Sequence, residues 1–96
     1  MTRTLAPLAA ALALMLASPA GAACFADYKA KRDNPLRLHY GVIEVPDAAC
    51  SPQAAAAEAG RRLQAAGWTL LNVVSVFGPE GLSERKDSAG EHYLRY

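Results

Sequence analysis

The chain has 96 residues, 52% of them hydrophobic, with ten basic and nine acidic side chains and two histidines. That length supports one small domain. A charge balance this even excludes general nucleic-acid binding, which needs surplus positive charge to displace counterions, and excludes electrostatic attachment to anionic lipid.

Residues 1–22 have the layout of a secretory signal peptide: Arg3 in a short basic start, an apolar run from Leu5 to Ala17, then the small-residue stretch S-P-A-G-A-A. The apolar run is about 13 residues long, against about 20 needed to cross a bilayer, so no stable membrane span is expected in the mature form. Ala20 and Ala22 fit a small-x-small cleavage pattern, which places the cut near Ala22 and the product in the periplasm or outside the cell. Cys24, so close to the cut, admits a second reading as the lipidated first residue of a lipoprotein. Gly21, however, stands where such signals carry Leu.

What remains is a domain of about 74 residues, too small to stabilise itself through its interior alone. Cys24 and Cys50 are therefore expected to form a disulfide, closing a loop that stabilises by about 3 to 4 kcal/mol in the chain-entropy account. Residues 23–35 read as an N-terminal segment tied down by this bridge. Within it, Phe25 and Tyr28 are spaced for one helical face, and an extended lead-in fits equally.

The first expected strand covers 36–45, with Leu36, Leu38, Tyr40 and Val42 on one face and Arg37 and His39 on the other. Gly41 within it marks a bulge or a close contact. A helix follows, with Ser51 as N-cap, Pro52 as first helical residue and Gly67 as terminator. Its inward stripe is read as Ala56, Ala59, Leu63 and Ala66, with Glu58 and Arg62 paired outside. The stretch from Gly67 to Phe77, G-W-T-L-L-N-V-V-S-V-F, is apolar on both alternating faces and reads as a buried central strand. Residues 78–90 read as a long loop, either functional or a hairpin extension with its own ladder, and Glu91 to Tyr96 as a last strand.

The expected fold is α+β: a β-α-β-β domain over 36–96 with a three-stranded mixed sheet, its first two strands parallel through a right-handed crossover, and one main helix. One helix covers one face of such a sheet. The other face falls to the N-terminal segment or to a second copy in a homodimer.

No catalytic constellation is visible. The serines lack a nucleophile setting, no phosphate loop follows a strand, and the cysteines are too far apart for a redox pair, so no enzyme activity and no cofactor are expected. His39 and His92 approach one another if their strands pair, but two histidines without a third ligand make a poor metal site. Trp68 reads as core, and Arg61 and Arg62 as a solvated helix face. Parallel strands would bring the helix start at Ser51 to the same edge as Arg85 and Lys86, a candidate anion-binding edge.

The stretch R-R-L-Q-A-A-G-W-T-L-L-N-V-V-S-V resembles a family of small uncharacterised bacterial domains whose signature is a short helix, then Gly-Trp-Glu-Leu-Val, then a strand ending in aromatic and basic residues. Gly67, Trp68, Leu70 and Leu71 match, as does the closing Y-L-R-Y, while Thr69 replaces the acidic residue. That resemblance implies a fold and no activity. The order of elements is also similar to the first half of sporulation-related repeat domains that bind peptidoglycan, whose second helix and strand have no counterpart after Tyr96. The sequence as a whole points to an exported, non-enzymatic binding or accessory protein of the bacterial cell envelope, with an envelope protein or glycan as partner. The alternatives are a peptidoglycan-binding module and a dimeric structural protein.

Overall fold

The computed structural model describes residues 23–96; the expected signal peptide lies outside the described residues. Cys24, Ala26, Tyr28 and Ala30 alternate with Phe25, Asp27, Lys29 and Lys31, and this two-residue period belongs to a strand, β1 (Cys24–Arg32). A four-residue turn, with Asn34 at φ 65°, returns the chain as β2 (Arg37–Val45). Helix α1 (Pro52–Ala65), strand β3 (Thr69–Phe77) and the short helix α2 (Ser83–Ala89) follow.

The sheet has the order β2-β1-β3 and is antiparallel throughout. The domain is α+β with a three-stranded sheet and one main helix, as the sequence predicts, but the element order is β-β-α-β-α and the sheet is not mixed. β2 and β3 do run parallel to each other, with β1 hydrogen-bonded between them. Residues 24–32 are thus the middle of the sheet and not an appended segment, and 67–77 supplies an edge strand and not the centre. Residues 91–96 form a 3-10 turn (Gly90–His92) and an irregular tail, with a single bridge from Tyr93 to Val42. Among the described residues, no helix is long and apolar enough to cross a membrane.

One face of the sheet is covered by α1. Ser51 accepts a hydrogen bond from the Ala54 amide at the helix start. At the other end Gly67, at φ +88°, lets the Trp68 and Gly67 amides donate back to the Leu63 and Gln64 carbonyls, a Schellman closure. The buried stripe is Ala55, Ala59 and Leu63, shifted from the expected Ala56 and Ala66, which face outward in part or whole. These alanines share a core with Ala26 and Ala30 of β1, so helix and sheet meet through small side chains. Arg62, expected in solvent, reaches the Glu44 carbonyl at 2.8 Å as well as Glu58, and so ties α1 to β2. The disulfide joins Cys24 to Cys50, with Cα atoms 5.9 Å apart, and fastens the start of β1 to the residue before the α1 cap. That sulfur is then not free to carry the lipid of the lipoprotein reading.

Tyr28 is fully buried on this face and sits opposite Gly41 in the β1–β2 register. A methyl group on Gly41 would lie 2.6 Å from the Tyr28 ring carbon that bears the hydroxyl. The glycine is a close contact and not a bulge.

The other face is covered by α2, from within the expected loop 78–90, and not by the N-terminal segment. Leu82 and Ala89 pack on Phe25, Val42 and Phe77. Beneath α2 lies a buried carboxylate, Asp27, which accepts hydrogen bonds from Tyr40 (2.7 Å), Ser75 (2.7 Å) and Arg85 (3.0 Å). Burial by itself would raise the Asp27 carboxyl, but these three donors outweigh it and hold it below the usual value. The Tyr40 hydroxyl, buried and bonded to a carboxylate, is pushed up to about 12.

Replacing Gly41 with Ala forces Tyr28 to move in a packed interior and is expected to cost about 2 kcal/mol in urea unfolding. Arg85→Ala leaves Asp27 buried without its counter-charge, and the same measurement is expected to give a loss of about 3 kcal/mol.

Candidate functional site

The three positions of the expected anion edge are not brought together. Ser51 caps α1 on one face of the sheet, whereas Arg85 and Lys86 belong to α2 on the other. β2 and β3 do run parallel, as the expectation required, but β1 lies between them and α2 packs on the face opposite α1. Arg85 is also occupied, by Asp27, Glu84 and the Gly81 carbonyl, with its guanidinium 4.0 Å from the Phe77 ring centre. Lys86 lies toward the Tyr93 ring.

A different group of side chains converges at the hairpin end of the sheet on the α1 face. The C-terminal tail crosses the outer edge of β2, where the Leu94 amide donates to the Val42 carbonyl at 2.9 Å. This crossing lays His92 against His39, with ring centres 3.6 Å apart and planes 15° from parallel. Trp68 stands edge-on to His39 at 4.3 Å, and Tyr96 lies beside both imidazoles, 5.8 Å from His92 and 5.9 Å from His39. The Tyr28 hydroxyl is 2.9 Å from His39 Nε2, and His92 Nδ1 is 3.1 Å from the Tyr96 hydroxyl. His39 Nδ1 is buried and has no partner among the described residues.

The electrostatics of this stack favour neutral rings. Burial, reinforced by His92 and opposed by Glu91, pushes His39 down to about 4. Burial also lowers His92, again against the pull of Glu91. Desolvation likewise raises the Tyr28 hydroxyl above its usual value. The histidines are therefore uncharged near neutrality; His39 lies on the edge strand β2 but is packed against its neighbours.

Arginines rim the stack. Arg32 lies over the Trp68 ring, 4.4 Å from its centre. Arg37 is the direct partner of Arg32 in the β1–β2 register, so two like charges face each other across the hairpin. Neither has a carboxylate partner among the described residues. Arg95 completes the rim and is 3.5 Å from Glu91. Together with Leu38, Ala66, Trp68, His92 and Tyr96, these side chains line a concavity of about 440 Å³. Among the described residues no group of three or more His, Cys, Asp or Glu could hold a metal ion.

From sequence His39 and His92 read as a pair too poor in ligands for a metal and Trp68 as core, and nothing singled out Arg32, Arg37 or Arg95. The available signal was the pair of arginines flanking D-N-P-L, which becomes a cross-strand pair once that tetrapeptide is read as a hairpin turn. Comparison of the chain with protein-family models, curated proteins and solved structures gives no match.

The histidines set a pH dependence of stability. Both are held neutral in the folded protein but take up a proton in the unfolded chain below about 6.5, so the unfolded state binds more protons in that range. Their contribution is complete above about pH 6.5 and is lost as pH falls toward about 4. Melting temperatures recorded from pH 8 to 4 are expected to drop across that window. His39→Asn, which keeps a polar group without a titrating ring, is expected to flatten the drop. The Asp27 contribution is lost only at lower pH, below the usual carboxylate value of 3.8.

Proposed function

We propose that this protein is an exported, non-catalytic binding protein of the bacterial cell envelope whose ligand is an acidic small molecule or glycan fragment, held through carboxylate or phosphate groups by Arg32, Arg37 and Arg95. One observation carries the reading: Arg32 and Arg37, cross-strand partners in the backbone register, line one concavity with Arg95, and Glu91 is the sole carboxylate in its lining. Like charges placed opposite each other across a strand pair destabilise it, so the arrangement costs the empty protein and gains only when an anion enters. Guanidinium forks bind carboxylate and phosphate oxygens through paired, charge-assisted hydrogen bonds, which suits them to this ligand class.

The aromatic floor supports the same ligand. Trp68, His92 and Tyr96 supply a rigid, partly apolar surface of the kind that recurs in small-molecule sites with a few converging polar groups. Export is supported by the signal-like stretch 1–22 and by the Cys24–Cys50 disulfide, which belongs to an oxidising compartment. A glycan bearing carboxylates, such as a peptidoglycan fragment, is the envelope ligand that this chemistry fits.

Calorimetric titration of the oxidised protein with inorganic phosphate, citrate and peptidoglycan fragments tests the reading. At least one of these is expected to bind, and Arg37→Ala is expected to weaken it by about 10-fold or more. The same substitution is expected to raise the stability of the ligand-free protein by about 0.5 kcal/mol, because it removes the repulsion with Arg32. No binding by any of the three, or equal binding by Arg37→Ala, would overturn the proposal.

A further inference from the structure

The free edge of β3 and the flank of α1 beside it form one continuous surface. β3 is hydrogen-bonded to β1 on one side, and among the described residues no strand lies along the other. The outward amide and carbonyl groups of a nine-residue strand are thus left to solvent. Proteins that stay monomeric ordinarily blunt such an edge with Lys, Pro, an inward charge or a bulge that twists it away. The sequence T-L-L-N-V-V-S-V-F contains no Lys, Pro or charge, and its two bulges leave the apolar Leu71 and Val74 exposed.

The pairing with β1 slips twice, leaving Leu71 and Val74 as extra, unpaired residues. Both are about half exposed, at 50% and 49%. Bulges re-aim side chains, and here they turn apolar ones outward. Alongside this edge, α1 contributes Ala56, Ala57 and Gly60 to a groove of about 480 Å³ above Leu70. The only atom within 4 Å of where a Gly60 side chain would begin is the tip of Leu70, at 3.8 Å.

We propose that the protein is a homodimer in which β3 pairs antiparallel with β3 of a second copy about a two-fold axis perpendicular to the sheet. The two sheets become one of six strands. Both α1 helices lie on the same face of it, with their small-residue flanks opposed. A second copy is the occupant that these features select. The strand carries no charge, so setting it against itself brings no like charges together. Two-fold symmetry also places the Ala56–Gly60 flank opposite itself, where small side chains permit close helix packing. Arg61, at the rim of the groove, is already paired with Glu58. A contact about 30 Å long and about 20 Å deep covers roughly 600 Å² per copy, at the low end of specific interfaces.

Sedimentation velocity on the exported, oxidised protein from about 5 to 500 μM is expected to detect a species of twice the monomer mass growing in with concentration. Hydrogen exchange of the β3 amides is expected to slow over the same range. The double variant Leu71→Lys, Val74→Lys is expected to stay monomeric with unchanged circular dichroism, whereas Leu36→Lys, at an exposed position in the β1–β2 turn, retains the dimer. A monomer at every concentration, open-ended aggregates in place of a two-copy species, or a dimer that survives the double variant would each overturn the proposal. If the double variant does not fold, β3 amide exchange in the unaltered protein decides: rates independent of concentration overturn it.

Discussion

Strand β1 has to satisfy neighbours on four sides at once, and the rest of the domain follows from how it does so. Its backbone is bonded along both edges, to β2 and to β3. Its alternate side chains are divided between two unlike environments. Cys24, Ala26, Tyr28 and Ala30 enter the core under α1, while Phe25 and Asp27 meet α2. The first set is small or flat, which lets a helix of alanines settle close to the sheet. The second contains a charge that cannot be buried alone. Arg85 is brought over the sheet to meet it, and α2, only seven residues long, is held in place by that ion pair together with its apolar contacts.

At the hairpin end the priorities differ. The interior under α1 places Ala, Leu and Tyr where they pack without conflict, whereas the hairpin end keeps two arginines opposed and two histidines uncharged. Both conditions cost the fold something, the first through repulsion and the second through sensitivity to acid. Natural domains tend to accept such local costs where a surface has work to do beyond folding. The tail residues that complete the group make few backbone bonds to the sheet, the Val42–Tyr93 bridge that includes the Leu94 donation. Stacked rings hold them more than strand pairing does.

Local signals in the sequence were legible wherever the chemistry is local. Ser51 with Pro52 and Gly67 before Trp68 read correctly because each depends on a few neighbouring residues; the cysteine pair, 26 residues apart, read correctly because no other cysteine competes, and Gly41 was narrowed to a bulge or a close contact. β1 was half hidden because Phe25 and Tyr28 are spaced for a helical face as well as for an extended segment, and the use of Ala26 and Ala30 as spacers under α1 depends on partners 25 or more residues away. β3 misled in the opposite sense. Its apolar residues suggested burial on both faces, but two bulges break the alternation, and several of them fall on the exposed side of an edge. The candidate site was the least legible part. Its residues come from the hairpin, the start of β3 and the tail, and no single window contains more than two of its arginines.

The order of the strands along the chain has a consequence for assembly. β1 is made before either of its partners; β2 follows at once through a short turn, but β3 must return from about 50 residues further on, as the pairing of Phe25 with Phe77 records. A hairpin alone is marginal in water, and until β3 arrives the middle of the sheet is itself a bare margin. Closure of the sheet is therefore a late, long-range event with an unfavourable loop entropy. A nascent or truncated chain stopping short of residue 69 would present β1, the strand best suited to the interior, to whatever lies nearby.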